Sequence, residues 1–557
     1  MAQYSYVSTP QHRSLLYKSV IDVFHEKADQ FSNKEICIHC LPDGSRQAVT
    51  YADLRAKAEK VAKFLVSTGV KTGDSVGILG PNSIAWIVGE VAILIAGGVS
   101  VHLAKPGSLK EMYSFLQSAS CKAVLLDTDG DDSLMNEIKG TMDVCANPSK
   151  ISQMSFEDSK APCIVLLKKW TGMNIPDIET IGNEKEGTQG LIPTRIHPEK
   201  TAIVFMTSGS TGHPKMVEHT HFGLVNTSSS RIFSRGQDIC DNSGAMYNDR
   251  PFTWIGGTVV YNLIHGDTRV FRDGRITLKE SGVLGLWDNI VKEKCTNALL
   301  MPFTILDLLA NEQEILRSNY CLKTIVTGGQ IIGSHMADVC GKFCNTLIAG
   351  YGSTELSVVA FIEVKDNMEL GAPGSLSDGM EVNIVDEDWN TVHREELGEI
   401  CIRCPWMLKG YRTVLGTDRM TLTDGWMNTG DIGFIRSDDS LFIKGKLENV
   451  IKRMTLKILS GDVEECIAEI PEVKAAVVVA VPDQRVYEDV CACVVLDQST
   501  GVTMADVELH CRKRLGDTIT GDAPTYYLRF EAIPRLNSGK PDRMKVKQHA
   551  LEMLDIS

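Results

Sequence analysis

The sequence predicts an α/β fold, with a large N-terminal part of parallel-rich sheets and helices and a compact α+β unit behind it. Three observations carry that prediction. Between residues 51 and 103 helical and apolar patterns alternate at the spacing of βαβ units. Farther on, apolar runs at 202–206, 324–329 and 347–352 each empty into glycines, as strands do where an open α/β sheet holds ligands. Between 462 and 533, short helices and strands alternate again.

The bulk numbers set the frame. A chain of 557 residues exceeds one typical domain. Hydrophobic residues at 43% and charged residues at 23% are ordinary for a globular protein. The net charge of -14 argues against nucleic acid or an anionic membrane as the main partner. The 16 cysteines include Cys401/Cys404, with two residues between them and no partner pair, and Cys491/Cys493, alternating along an apparent strand; free thiols in a reducing compartment fit better than zinc or disulfides. No run reaches the 18 or so apolar residues of a membrane helix, so no transmembrane segment is expected. The N-terminus lacks the features of a signal or transit peptide, and the final Asp-Ile-Ser is not a peroxisomal tripeptide, so the expectation is cytoplasmic.

Taken in order, residues 51–68 carry Leu54, Ala58, Val61, Ala62 and Leu65 at helical spacing, with Thr50 as N-cap, Asp53 three residues on and Gly69 as the stop. A strand at 74–79 runs into the turn Gly80-Pro81-Asn82; a helix at 84–96 ends on Gly97-Gly98; a strand follows at 99–103. The polar stretch 127–160 reads as loops and an irregular surface helix, 163–167 as a strand, and 171–198 as a long polar connection. The strand at 202–206 leads into Thr207-Ser208-Gly209-Ser210-Thr211-Gly212-His213-Pro214-Lys215. Glycines let such a loop turn its N–H groups inward as a nest for anionic oxygens; the hydroxyls add donors and Lys215 a charge. It is not a Walker loop, because the glycine spacing differs and a proline precedes the lysine. By itself it is also compatible with a plain connection. Glu218-His219-Thr220-His221 then begins a predicted helix; the two histidines do not share a helical face, so packing or capping suits them better than a metal.

In Arg250-Pro251-Phe252-Thr253-Trp254-Ile255-Gly256-Gly257, aromatics beside paired glycines are either core or pocket lining. Tyr351 offers a flat face to an adenine ring, and Glu355 a hard oxygen to Mg2+. The stretch 381–404 alternates as strands. Asp431, after the turn Asn428-Thr429-Gly430, is an acceptor suited to a vicinal diol, or a plain turn residue. A strand at 440–443 leads into five basic residues, Lys444, Lys446, Lys452, Arg453 and Lys457. Helices at 462–470 and 507–515 and strands at 474–481, 489–496 and 526–533 complete the chain before the loop ending on Ser538-Gly539-Lys540.

The loop at 207–215 resembles the phosphate loop of the adenylate-forming enzymes, the superfamily of acyl-CoA synthetases, aryl-CoA ligases, beetle luciferases and peptide-synthetase adenylation domains. The resemblance returns, in the family's order, at Gly350-Tyr351-Gly352-Ser353-Thr354-Glu355, at Thr429-Gly430-Asp431, at 445–452 and at Ser538-Gly539-Lys540. It implies a large AMP-binding domain over 1–445 with a small β-subdomain near 381–404, hinged at Glu448 to a mobile domain over 446–557. It also implies an acid–thiol ligase that uses ATP, Mg2+ and CoA and makes an acyl-adenylate from a carboxylic, fatty or aryl, acid. The roles implied for ATP fall on Thr207, Ser208, Gly209, Ser210, Thr211, Gly212 and Lys215 around the phosphates, and on Gly329, Gln330, Tyr351 and Gly352 around the adenine. Thr354 faces the phosphates, Glu355 and Thr211 face the metal, and Asp431 and Lys446 face the ribose. Trp254, Gly256 and Gly350 would line the acyl pocket, Glu448, Lys452 and Thr455 the hinge and CoA side, and Lys540 would be the catalytic lysine brought in by closure.

Four departures matter. Lys446 replaces the usual arginine, keeping the charge and losing the fork. Thr455 replaces a glycine beside the pantetheine channel, where glycine permits close approach, and Cys404 stands where relatives have glycine. The aspartate that holds an amino-acid ammonium is missing from 250–257, which argues against an amino acid substrate. Pro214-Lys215-Met216 with Glu218-His219 is similar to medium-chain acyl-CoA synthetases. A luciferase-type activity, a carrier-loading adenylation unit and a non-catalytic nucleotide or acyl binder stay open as alternatives.

Overall fold

The computed structural model describes the chain except residues 1–3, 13, 104–105, 107, 129–131, 146–162, 171–174, 185–189, 208–214, 231–232, 235–236, 239–243, 275–281, 317–318, 331–333, 367–373, 409, 414–415, 419–421, 455, 498, 519–520, 536–539 and 557. It divides into two compact units, one of Ser8–Glu381 with Arg403–Met427, the other of Met1–Val7, Val382–Ile402 and Asn428–Ser557.

The larger unit is built on two sheets. In the first, Val99–His102, Ser75–Leu79, Cys121–Leu126 and Cys163–Leu166 run parallel beside Thr201–Thr207. The helices predicted around them form as expected. Tyr51–Ser67 is capped by Thr50, whose side chain accepts from the Asp53 N–H, and buries Leu54, Ala58, Val61, Ala62 and Leu65. Ile84–Ile95 is capped by Ser83 and buried from Trp86 to Ile95, as an almost wholly apolar helix must be. Both share one apolar core with the helix Val20–Gln30, which the sequence pattern left unassigned and which carries a Ser19/Asp22 capping box. In the second sheet Cys344–Ser353, Leu322–Gly328, Cys295–Leu299, Ala245–Tyr247, Thr268–Phe271 and Glu35–Cys40 are parallel neighbours, with antiparallel strands at both edges.

Three expectations are corrected here. Residues 218–220 do not open a helix: Lys215–Thr220 is a strand antiparallel to Thr201–Thr207, and the helix starts at His221. The strand is covered on both faces, so its sequence shows no alternation to betray it. The stretch 127–160 contains a regular helix, Asp132–Cys145, with 146–160 outside the described residues. The polar connection 171–198 holds a short helix, Ile178–Asn183, started by an Asp177 cap.

In the smaller unit, Glu381–Val385, Gly398–Arg403 and Trp426–Ile435 form neighbouring strands, and Leu441–Lys446 pairs antiparallel with the last of them. Asp431 thus lies inside a strand and not behind a turn; Gly430, at φ +68°, gives the local bend that its sequence suggested. The C-terminal sheet orders Leu456–Leu459, Val450–Arg453, Tyr487–Leu496 and Val473–Asp483, with Tyr526–Arg529 parallel to Tyr487–Leu496. Val490, Ala492 and Val494 pack with Val463, Ile467 and Val507 of the helices Ser460–Ala468 and Met504–Leu515. Cys491 and Cys493 share the other face with Val546 and Ala550 of a helix, Arg543–Met553, that the sequence reading missed. These cysteines are core residues, and the described cysteines are free thiols. Among the described residues no helix is long and apolar enough to cross a membrane.

Candidate functional site

The larger unit brings glycine-bearing strand ends together. Leu322–Gly328 and Cys344–Ser353 are paired up to Gly328 and Gly350, and a Cβ on Gly328 would meet the Gly350 carbonyl oxygen at 2.4 Å. A Cβ on Gly352 would sit 1.7 Å from the Ser357 oxygen across the hairpin to Ser357–Glu363. Only glycine fits these approaches, and Thr354 and Glu355 form the hairpin tip. Gly329, at φ +94°, and the exposed Gln330 follow the neighbouring strand, and Tyr351 is half-buried.

The tip is held at two points. His219 Nε2 lies 2.7 Å from the Thr354 carbonyl oxygen, which can only accept, so Nε2 carries the proton. Burial pulls the His219 pKa down, which keeps the ring neutral. The Tyr411 hydroxyl donates to Glu355 Oε1 at 2.7 Å, and Lys215 Nζ lies 5.2 Å from the centroid of the same tyrosine ring. Burial, reinforced by the Glu355 carboxylate, raises the Tyr411 phenol, so it stays a donor. Tyr411 reaches this place because its strand, Tyr411–Thr413, pairs with Lys215–Thr220. One phenol therefore links the lysine after the glycine loop to the expected metal-side carboxylate. Thr207 ends its strand opposite Lys215, and Ser208, Gly209, Ser210, Thr211 and Gly212 lie outside the described residues.

Burial also lowers His221, to about 4, and its Nδ1 accepts from the Val20 N–H at 3.4 Å. Both histidines thus pack and cap, as expected. Trp254 is half-buried in a turn in which its N–H donates to the Pro251 oxygen at 3.0 Å and its carbonyl accepts from Gly257 at 2.9 Å. Gly256 faces the Arg250 guanidinium at 3.1 Å from an added Cβ.

In the smaller unit, Asp431 and Lys446 sit directly opposite one another on paired strands, with Nζ 2.8 Å from Oδ1. Thr429 Oγ1 accepts from the Asp431 N–H at 3.0 Å and donates to the Ile400 carbonyl at 2.8 Å. Glu399 takes the Asn428 side-chain amide at 2.8 Å and the Gly430 N–H at 3.2 Å, which fixes the bend before Asp431. The five basic residues all meet acids: Lys444 with Asp462, Lys446 with Asp431, Lys452 and Lys457 with Glu387, and Arg453 with Asp489. Arg453 is fully buried and also donates to the carbonyls of Thr518 and Ala523, so it builds the fold. Glu448 is exposed on a single turn, Leu447–Asn449. Lys540 is exposed; residues 536–539 before it, like Thr455, lie outside the described residues.

For a magnesium ion the donor chemistry fits Glu355: a carboxylate offers two hard oxygens, and the Tyr411 phenol bonds one of them. The cluster Cys466, Glu469 and His510 is spent otherwise. Arg514 grips both oxygens of Glu469 at 2.6 and 3.0 Å, and burial pushes the Cys466 thiol up to about 12.

An α/β unit with glycine strand ends, a lysine after a glycine-rich stretch of sequence and a held carboxylate has the build of a nucleotide-binding enzyme. Comparison with known proteins names the class. The family described as AMP-binding enzyme matches residues 24–412, and the AMP-binding enzyme C-terminal domain matches 462–540. The chain belongs to this family, the adenylate-forming superfamily, on its acyl-CoA synthetase branch. The rat protein "Medium-chain acyl-CoA ligase ACSF2, mitochondrial" (Rattus norvegicus) is 25% identical over 99% of this chain and 91% of its own length. A 4-coumarate–CoA ligase of Vanilla planifolia is 27% identical over 92% of this chain and 90% of its own. Among solved structures, the anthranilate CoA ligase AuaEII in complex with anthranoyl-AMP superposes with a TM-score of 0.79 at 19% identity, over 98% of this chain and 99% of its own. The amide bond synthetase McbA of Marinactinospora thermotolerans gives 0.75 at 23%, over 95% and 99%. At these identities the structures establish the fold.

The sequence reading missed Tyr411, the hold of His219 on Thr354, and Glu399. Each acts across a long sequence gap, 56 residues for Tyr411 and Glu355 and 135 for His219 and Thr354, and no local pattern marks them.

Proposed function

We propose that this chain is an ATP-dependent, AMP-forming acid–thiol ligase that activates a carboxylic acid of the fatty or aryl class and passes the acyl group to CoA. The observation that carries the reading is the Lys215–Tyr411–Glu355 arrangement at glycine-bearing strand ends. It lies in a chain of the AMP-binding family whose curated relatives are named as acyl-CoA and 4-coumarate–CoA ligases.

In the first step a carboxylate oxygen attacks the α-phosphorus of ATP, the bond to the β-phosphate breaks, and pyrophosphate leaves. The demand on the protein is alignment and charge neutralisation. Lys215 and the loop before it hold the leaving phosphates, and Lys540 bridges the attacking carboxylate and the α-phosphate. Asp431 accepts the ribose hydroxyls while Lys446 aims it. Glu355, with Thr211, would hold Mg2+, which supplies charge neutralisation on the phosphates. In the second step the CoA sulfur attacks the acyl carbonyl, the acyl–phosphate bond breaks, and AMP leaves. Rotation of the domain 446–557 at Glu448 would exchange Lys540 for the side bearing Lys452 and Thr455.

The test is pyrophosphate release with ATP, Mg2+ and a panel of short- to long-chain fatty acids and aryl acids, with and without CoA. Acid-dependent release that turns over only with CoA is expected. Release without CoA-dependent turnover would move the acceptor away from CoA, and none with any acid would overturn the ligase reading.

A further inference from the structure

Residues 248–257, the segment that presents Trp254 and Gly256, have no helix or strand to hold them. They contain a proline and two adjacent glycines, a composition that leaves the chain's path to its contacts. Two side chains outside the segment supply several of those contacts. Arg269, on Thr268–Phe271, is 0% exposed. Its Nε donates to the Asn248 carbonyl at 2.9 Å, one terminal nitrogen donates to the Gly257 carbonyl, and the other donates to the Arg250 carbonyl at 3.3 Å. Its guanidinium carbon lies 4.6 Å from the centroid of the Phe252 ring, which is buried against Phe271 and Trp86.

Asn82, in the turn after Ser75–Leu79, grips the same segment from another side. Its amide nitrogen donates to the Arg250 carbonyl at 2.9 Å and the Asp249 carbonyl at 3.3 Å, and its oxygen accepts from the Phe252 N–H at 2.9 Å. Inside the segment Asn248 ties the ends, donating to the Gly256 carbonyl at 3.0 Å and accepting from the Arg250 N–H at 3.1 Å. A Cβ on Gly257 would stand 1.9 Å from the Pro251 oxygen, so the chain is folded as tightly as glycine allows.

A buried guanidinium is an expensive way to stabilise a fold, because its desolvation offsets much of what its bonds return. Its fork meets three carbonyls at once, which an ammonium on a flexible stem does not do. Placed behind a segment with no regular structure, it sets the shape of that segment. We infer that Arg269 and Asn82 are positioning residues that fix the 248–257 segment and through it the acid specificity of the enzyme, without touching the acid. The inference rests on the ligase reading for the word acid, and on the hydrogen bonds alone for the clamp.

Two measurements on the full chain separate these. Amide hydrogen exchange over 248–257 reads the clamp directly: Asn82→Ala and Arg269→Lys are expected to speed exchange at Phe252, Trp254 and Gly257 while the strand Ser75–Leu79 keeps its protection. Steady-state pyrophosphate release reads the consequence. For Asn82→Ala the KM for the acid is expected to rise roughly tenfold or more and the preference between fatty and aryl acids to flatten, with the KM for ATP within about twofold of wild type. Arg269→Lys is expected to exceed it; if that buried change prevents folding, Asn82→Ala, in a partly exposed turn, decides alone. Unchanged exchange overturns the clamp. Altered exchange with acid and ATP affected equally overturns the specificity role, since a loss of fold alone scales both. A wild type inactive with every acid sinks the ligase reading and the specificity role with it, while exchange still decides the clamp.

Discussion

In the larger unit, Thr354 and Glu355 are held by an uncharged imidazole and an uncharged phenol, on a hairpin whose glycines let backbones touch. In the smaller unit, Asp431 is held by an ammonium, and other lysines of that unit also sit in ion pairs: Lys444 with Asp462, Lys452 and Lys457 with Glu387. The first arrangement is half-buried and directional, and its donors carry no charge. In the second, Asp431 is buried but its lysine is half exposed, and a pair open to water on that side contributes about 0–1 kcal/mol. Neutral donors suit groups that must stay in place for every substrate. Exposed pairs are easily exchanged, as the rotation proposed above would require.

Substitutions in the two units put this contrast to the test. The largest effect is expected from Lys540→Ala: adenylate formation should fall by roughly two to three orders of magnitude or more, as on removal of a donor at developing charge. Thioester formation from supplied acyl-adenylate should survive; equal loss of both would show that Lys540 serves both steps. Tyr411→Phe should come next. It keeps the ring under Lys215 and deletes one hydrogen bond to a carboxylate, about 1.5–3 kcal/mol, so roughly ten- to a hundredfold. The readout is the Mg2+ concentration for half-maximal binding of an ATP analogue, and the deficit should be the same at low and high salt. A deficit that salt erases would put Tyr411 in the same class as the surface pairs. Lys446→Gln should weaken ATP binding only a few-fold, by up to about 1 kcal/mol, and the difference from wild type should shrink as salt screens the pair.

The smallest and broadest effect is on stability. His39 and His221 are both lowered by burial from 6.5 to about 4, so each is neutral in the folded chain and protonates first in the unfolded one. Their contribution is intact above pH 6.5 and is lost as pH falls towards 4. Denaturation midpoints should therefore decline across that window, and His221→Gln should flatten the decline. A flat profile in wild type would mean that these rings are charged when folded.

Much of this was legible in the sequence. Helix Tyr51–Ser67 declared itself through its cap and five apolar positions, and the glycine pairs declared the strand ends. Two kinds of information were not local. The strand Lys215–Thr220 gives no alternation because both faces are covered, so its Glu218 and His219 looked like the start of a helix; Arg412 and the Thr354 carbonyl satisfy them from elsewhere. Asp431 and Lys446 were each singled out, yet their pairing comes from strand register, which no single segment encodes. The partners of 248–257, Asn82 and Arg269, lie on either side of it in sequence and meet it only through the fold.

Arg453 has a kinetic corollary. Its guanidinium fastens the strand Val450–Arg453 to Asp489 and to the carbonyls of Thr518 and Ala523, from the heart of the C-terminal sheet. Lys452, its neighbour on that strand, is like a tooth cut into a gear wheel. Under the rotation proposed above it would travel with the whole sheet, its arrival timed by that one event.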